Sequence, residues 1–263
     1  MDTGIGTGCL GAPSLRGRVS AAEWQARVDL AAAYRLCALY GMSDMIYTHI
    51  SARVPDAPGH FLINAHGLLF DEITASSLLR VDMDGTVLHQ PDPDYGLHPA
   101  GFVIHSAIYR ARPDVAAAMH THTIAGMAVS ALRCGLLPLT QTAMRFYGQI
   151  AYHDFNGPER DPAERENLAA HLGKRNVMLL RNHGLLTTGP TVAEAFNYMY
   201  GMERACQAQL AAMACNTPLN ELPEAVIDKT TAAYAPGATR RYGLKEWQGL
   251  LRRLDRLDGS YRD

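Results

Sequence analysis

Apolar residues recur at helical spacing through Trp24, Val28, Ala31, Leu36 and Leu39, and Ser20 with Glu23 forms a capping box in front of them. This pattern predicts a first helix that ends near Gly41. From Ile46 the period shortens. Positions 46–54, 61–64, 78–83 and 86–88 are short apolar pieces separated by Pro, Gly and an Asp84-Gly85 turn, and they predict strands, several of them antiparallel. Positions 100–112 predict a helix that Pro113 stops, after which 115–119 is an apolar strand running into His120. Helices are expected at 124–132 and around 164–172, followed by a fully apolar strand at 177–180 that ends at Arg181. Thr191 with Glu194 is a second capping box, opening a long Ala- and Met-rich helix that reaches about Cys215. Met199, Met202 and Met213 on that helix read as core packing.

Strands and helices alternate with short connections, which favours one layered α/β domain over 19–215. A flexible Gly-rich arm at 1–18 and a helical tail at 216–263 flank it, with helices near 221–234 and 244–257. Tyr234, Tyr242 and Trp247 are amphipathic aromatics on this polar tail. They suit docking against a neighbouring subunit, or packing on the chain's own core.

At 263 residues with 48% hydrophobic content the chain can bury a substantial core alone. Its 24 Lys plus Arg are offset by 26 Asp plus Glu, and neither sign collects into a run, so neither a nucleic-acid backbone nor an anionic membrane is an expected partner. The five cysteines lie far apart without a Cys-x-x-Cys pair, which argues against a disulfide framework or a thiolate zinc site. With no signal-peptide run and no membrane-length apolar stretch, the expected location is the reducing cytoplasm.

The informative chemistry is His120-Thr121-His122, followed by Arg181-Asn182-His183-Gly184. Imidazoles at i and i+2 of an extended strand share a side, and a third from a strand end completes one face of a metal ion. For any single histidine the alternative is a satisfied core residue or a strand-end cap. Three neutral imidazoles accept zinc, manganese or iron alike.

Several segments carry a resemblance over roughly 20–215: AAAMHTH at 116–122, LLRNHGL at 179–185, FDEIT at 70–74 and LRVDMDG at 79–85. Together they resemble the class II aldolase/adducin family. The resemblance implies a three-layer α/β/α sandwich with a central, largely antiparallel sheet, a homotetramer with active sites between subunits, and one divalent metal ion on His120, His122 and His183.

The departures narrow the substrate. Sugar-phosphate aldolases of this family carry a Ser-Ser-Glu run before a helical histidine, and its Glu serves as acid/base. Counting back from His105, this chain has Pro99, Ala100 and Gly101, and Gly101 cannot transfer a proton. The family's Gly-Asn-x-Ser-x-Arg phosphate loop stands here as THISAR at 48–53, and its Thr-x-Ser-Gly loop as NAHG at 64–67, so most donors that cradle a phosphate are replaced. PAGFVIHS at 99–106, CGLLP at 134–138 and AYHDFNG at 151–157 are most similar to the adducin-like branch. That branch spans cytoskeletal adducin heads, decarboxylases of hydroxylated aromatic carboxylates and non-haem iron oxygenases of aromatic acids.

The expected function is a metal-dependent carbon-carbon lyase, a decarboxylase or retro-aldolase, on a small non-phosphorylated hydroxy- or keto-acid, aromatic acids included. An iron oxygenase on the same three histidines and a non-enzymatic binding module are the alternatives. His49 and His66 are the leading acid/base candidates, because an imidazole is poised for proton transfer near neutral pH. Ser51, Arg53, His98, Arg145 and Tyr147 are the substrate-binding candidates, with Tyr152 and His153 behind them. Arg53 shares a strand face with Ser51 and His49, where it suits a carboxylate; a surface ion pair or an exposed loop histidine is the competing reading for these positions.

Overall fold

The computed structural model describes residues 13–157, 162–235 and 240–263. Most of the expected 1–18 arm lies outside the described residues. Leu15 is buried, and its N–H donates to Ser76 Oγ at 3.0 Å.

The chain folds in the order α1 (Ala21–Leu39), β1 (His49–Arg53), β2 (His60–Ile63), β3 (Leu79–Asp82), β4 (Val87–His89), α2 (Pro99–Ala111), β5 (Ala117–Thr121), α3 (Ile124–Ala131), α4 (Gln141–Met144), β6 (Ile150–His153), α5 (Pro162–Leu172), β7 (Val177–Leu180), β8 (Gly184–Gly189), α6 (Val192–Ala214), α7 (Glu224–Ala232) and α8 (Leu244–Leu257). Both capping boxes form their N-caps: Ser20 accepts from Glu23 N–H and Thr191 from Glu194 N–H. The first predicted strand begins later than its apolar run, at His49, because Met45 turns the chain with a φ of 45°.

One eight-stranded sheet, in the order β4-β3-β2-β1-β5-β8-β7-β6, is antiparallel throughout except for the β6/β7 pair. That parallel pair is joined through α5, as a parallel connection requires. Helices α1 and α6 pack on one face, against β1 and against β5 and β8, while α2 and α5 pack on each other over the other face. The expected mixed α/β sandwich is the observed one. Three elements escape the sequence pattern: the single-turn α4, and strands β6 and β8. β8 (GLLTTG) is bounded by glycines and carries two threonines, yet every residue in it is buried.

Alternation along β1 divides its duties between the faces. His49 and Ser51 meet His105 and Tyr109 of α2. The intervening Ile50 is held from α1, where the Tyr34 hydroxyl accepts from Ile50 N–H at 2.8 Å and from Asn64 N–H at 3.1 Å, contacting Ile50 O and Asn64 Oδ1 as well. Tyr34 is fully buried, so one phenol oxygen fixes the start of β1 against the end of β2.

The C-terminal elements return to the same core. Trp247 is buried against Phe196 and its Nε1–H donates to Asp29 at 2.9 Å, while Tyr261 is buried with its carbonyl accepting from Ala75 N–H. Trp247 therefore packs within its own chain. Met199 and Met202 are core residues, whereas Met213 is 42% exposed and lies outside it.

Replacing Tyr34 by Phe removes the acceptor of two buried N–H groups at once. Urea unfolding should show a loss of about 2–4 kcal/mol, with the slope against denaturant unchanged. A loss below about 0.5 kcal/mol would mean that the hydroxyl is dispensable to the sheet.

Candidate metal centre

His120 is the fourth residue of β5, His122 lies one residue beyond its end, and His183 sits in the tight turn joining β7 to β8. The turn is built for this position. Asn182 takes a left-handed φ of 56°, His183 N–H is bonded to Leu180 O and Ser130 Oγ, and Gly184 is packed so closely on the Thr121 carbonyl that a Cβ would collide with it.

The three rings converge through one nitrogen each. His120 Nε2 and His122 Nε2 are 2.8 Å apart, and His122 Nε2 and His183 Nε2 are 2.9 Å apart. Among the described residues this trio is the only cluster of ligand-type side chains with all its donor atoms within 4.8 Å of one another.

The outer nitrogens define the inner ones. His120 Nδ1 is 2.9 Å from Leu185 O, which can only accept, so Nδ1 carries the proton and Nε2 presents a lone pair. His122 Nδ1 likewise faces Asp44 Oδ2 at 3.1 Å, the carboxylate-imidazole arrangement that orients metal ligands. Burial first, and then the neighbouring imidazoles, hold the His120 pKa well below its ordinary value, which keeps the ring in its ligating neutral form. Lone pairs aimed at one another at this separation repel, and a divalent cation between them converts repulsion into coordination. The donor set fits such an ion.

The trio opens on a cavity of about 900 Å³, lined also by Tyr47, Phe102 and Phe155, and by His49 and His98. His49 and His120 are register partners across β1 and β5, so their rings leave the same face of the sheet with centroids 5.1 Å apart. His49 is 3% exposed, and burial followed by the nearby His105 and His120 depresses its pKa well below the ordinary value.

Behind His49 runs a buried hydrogen-bonded chain. His49 Nδ1 is 2.7 Å from His105 Nε2, His105 Nδ1 is 2.5 Å from Ser51 Oγ, and Ser51 Oγ is 2.7 Å from the Tyr109 hydroxyl. Burial lowers the His105 pKa to about 3, so that ring is neutral and carries one N–H. Donation from Nε2 to His49 therefore requires acceptance at Nδ1 from Ser51, and the reverse order requires the opposite.

Gly101 explains why an imidazole stands here. A Cβ at Gly101 would lie 2.9 Å from His49 Cδ2 and 3.0 Å from its Cγ. The His49 ring occupies the space that any side chain at position 101 would need.

The remaining candidates divide clearly. His98 lines the cavity and caps α2, its Nδ1 accepting from Gly101 N–H at 3.3 Å. His66 stacks edge-on against His98 at 4.4 Å and is not part of the cavity lining. Ser51 is fully buried in the chain behind His49. Arg53 is a correction to the expectation of a carboxylate clamp: it donates from Nε to Val115 O at 2.7 Å and from Nη2 to Tyr109 O and Arg112 O, because α2 ends above it with carbonyls that need donors. Arg145 belongs to another cavity, Tyr147 lies outside both, Tyr152 stacks under Arg181 at 4.3 Å, and His153 pairs with His171 at 2.8 Å.

Asp44, His105 and Tyr109 were not singled out from the sequence. Asp44 sits in a loop with no periodic signal. The spacing of His105 and Tyr109, one helical turn apart, matched to His49 and Ser51, two apart on a strand, is a complementary pattern that was there to read.

Comparison with known proteins agrees with this geometry. Residues 28–210 match the model of the class II aldolase and adducin N-terminal domain. The crystal structure of an aldolase II superfamily protein from Pseudomonas syringae superposes with a TM-score of 0.91 at 50% identity, over 95% of this chain and 100% of that one. The L-fuculose 1-phosphate aldolase of Glaciozyma antarctica gives 0.81 at 31% identity, over 92% and 93%. Rat alpha-adducin is 40% identical over 88% of this chain, which spans 33% of the adducin's length. The chain belongs to the class II aldolase and adducin family.

Proposed function

We propose that this protein is a divalent-metal-dependent carbon-carbon lyase, a decarboxylase or retro-aldolase, acting on a small non-phosphorylated hydroxy- or keto-acid. The observation that carries the reading is the conjunction of three inward-facing imidazole nitrogens with a fourth imidazole, His49, filling the space beside Gly101 at the same cavity. An ion held by His120, His122 and His183 would supply Lewis acidity for negative charge developing next to the bond that breaks.

The chain's own groups account for the rest. His49 Nδ1 is engaged by His105, which leaves Nε2 to exchange a proton with the substrate. In a retro-aldol cleavage, the proton that His49 takes from the hydroxyl is the one the carbon receives when the electron pair is left on it. In a decarboxylation, the carboxylate departs as carbon dioxide and the carbon takes its proton through the same ring, which is reprotonated from solvent or from the chain behind it. Tyr47, Phe102 and Phe155 support a planar or aromatic substrate.

Among the described residues no Lys or Arg lines this cavity, so none of them offers a phosphate dianion a cationic side chain. This favours a substrate without phosphate, with His98 as the polar group beside its carboxylate. Assembly as a homotetramer, the state the resemblance implies, fits the reading. The 40% identity with alpha-adducin supports a second reading, a binding module without turnover.

The deciding experiment loads the purified protein with manganese, zinc or ferrous iron and offers a panel of hydroxy- and keto-acids. Retained metal with no turnover on any of them would sink the lyase. Failure to retain metal would favour the binding module, and iron-dependent oxygen consumption would point to an oxygenase. His122→Ala should abolish metal retention in equilibrium dialysis, and Asp44→Asn should weaken it by about 10–100-fold, because the carboxylate orients the ligand ring. His49→Gln should lower kcat by about 10²–10⁴-fold with metal content unchanged. Gly101→Ala should displace the His49 ring and lower kcat on the order of 10²-fold. Full activity in Gly101→Ala would show that the ring's position is irrelevant.

A further inference from the structure

A second cavity, of about 520 Å³, lies at the opposite end of the sheet from the histidine trio. Val177 opens β7 and lines it, whereas His183 follows the other end of that strand, roughly 10 Å of strand away. Nothing in the proposed chemistry uses it.

Its floor is Arg145. The guanidinium carbon sits 5.0 Å from the Tyr198 ring centre, 4.8 Å from that of Tyr242 and 5.2 Å from that of Phe146. Its Nη2 is buried and has no hydrogen-bond partner. Aromatic faces attract the charge but supply no acceptor to an N–H, and a buried guanidinium donor without an acceptor is costly. Burial accordingly lowers the Arg145 pKa from its ordinary value.

Charge counting around the rim leaves the same deficit. Arg241 is held by Glu194 through two bonds of 2.9 and 2.7 Å, and Arg240 by Glu246 at 2.5 Å. Lys174 and Arg175, both exposed, line the cavity with Arg145, and among the described residues no carboxylate pairs with any of the three. Among the described residues the five cations of the rim and floor meet two carboxylates, which leaves Arg145, Lys174 and Arg175 uncompensated. Tyr234 packs at a 42° tilt against Tyr242, ring centres 5.4 Å apart, on the apolar side.

We propose that this cavity is a second binding site, for an organic polyanion bearing a planar ring, whose anionic groups pair with Arg145, Lys174 and Arg175 while its ring packs against Tyr198, Tyr234 and Tyr242. Nucleoside diphosphates and aromatic polycarboxylates both meet this description, and the volume suits a molecule of that size. An acceptor delivered by the ligand satisfies the Arg145 Nη2 that the protein leaves open.

The test is titration calorimetry at low salt on the full chain, using adenosine diphosphate, benzene-1,3,5-tricarboxylate, pyrophosphate and adenosine as separate probes. Saturable binding of adenosine diphosphate or the tricarboxylate is expected, at least tenfold tighter than pyrophosphate or adenosine, which each lack one half of the recognition. The stronger of the two identifies the source of the anion. Arg145→Met should abolish this binding. Because that variant removes a buried stack and could fail to fold, the exposed Lys174→Ala and Arg175→Ala carry the test independently, each weakening binding tenfold or more. His122→Ala should leave it unchanged. The inference is overturned if neither probe saturates at millimolar concentration, if Lys174→Ala and Arg175→Ala bind as tightly as the parent, or if binding vanishes in His122→Ala. It is equally overturned if those two exposed substitutions alter the oligomeric mass without altering probe binding, since the cavity would then be a subunit contact.

Discussion

His120, His122 and His183 bring one ring nitrogen each to a common point, with separations of 2.8 and 2.9 Å, and on His120 and His122 the inward nitrogen carries a lone pair suited to a divalent cation. The groups around the trio hold that convergence in place. The Leu185 carbonyl and the Asp44 carboxylate take the outer protons, so neither His120 nor His122 is free to switch tautomer. The turn before β8 holds His183 on a backbone that only Gly184 allows to pass so close to Thr121. Ligands oriented in this way suit a divalent ion.

The sheet transmits this constraint to the rest of the cavity. Because β1 and β5 pair with His49 opposite His120, alternation sends both rings to one face and leaves Ile50, Met119 and Thr121 for the α1 and α6 side. Thr121 accordingly meets Met199 of α6. Tyr34 secures β1 from one face, while His105 and Tyr109 engage it from the other. A one-residue slip would exchange the imidazoles for aliphatic side chains and empty the site of its chemistry.

Gly101 and His49 are complementary in shape across the cavity wall. Glycine at position 101 of α2 leaves a space that the His49 ring from the facing strand fills, with supporting hydrogen bonds through His105 and Ser51. The place of Arg53 on the same strand face made it a natural partner for a substrate anion, but the carbonyls at the end of α2 claim its donors. Lys174 and Arg175, which no described carboxylate pairs, lie instead with Arg145 at the far end of β7.

Short-range information determined a great deal here. The capping residues Ser20 and Thr191, the apolar periods of α1, α2 and α6, and the His-x-His ending of β5 are each decided within a few residues, and the chain spells them out. Strand alternation made the shared side of His120 and His122 legible in the same way, while the choice of His183 as their third partner came with the family resemblance. Strand β8 was not legible, because its glycines and threonines carry no strand pattern; it is a strand because β5 and β7 supply hydrogen bonds on both sides. The contacts of Asp44 with His122 and of His105 with His49 depended on which groups meet across 78 and 56 residues of chain. Local sequence sets what each segment can become, whereas the partners that occupy a donor, orient a ring or fill the space beside a glycine exist only once distant segments have packed.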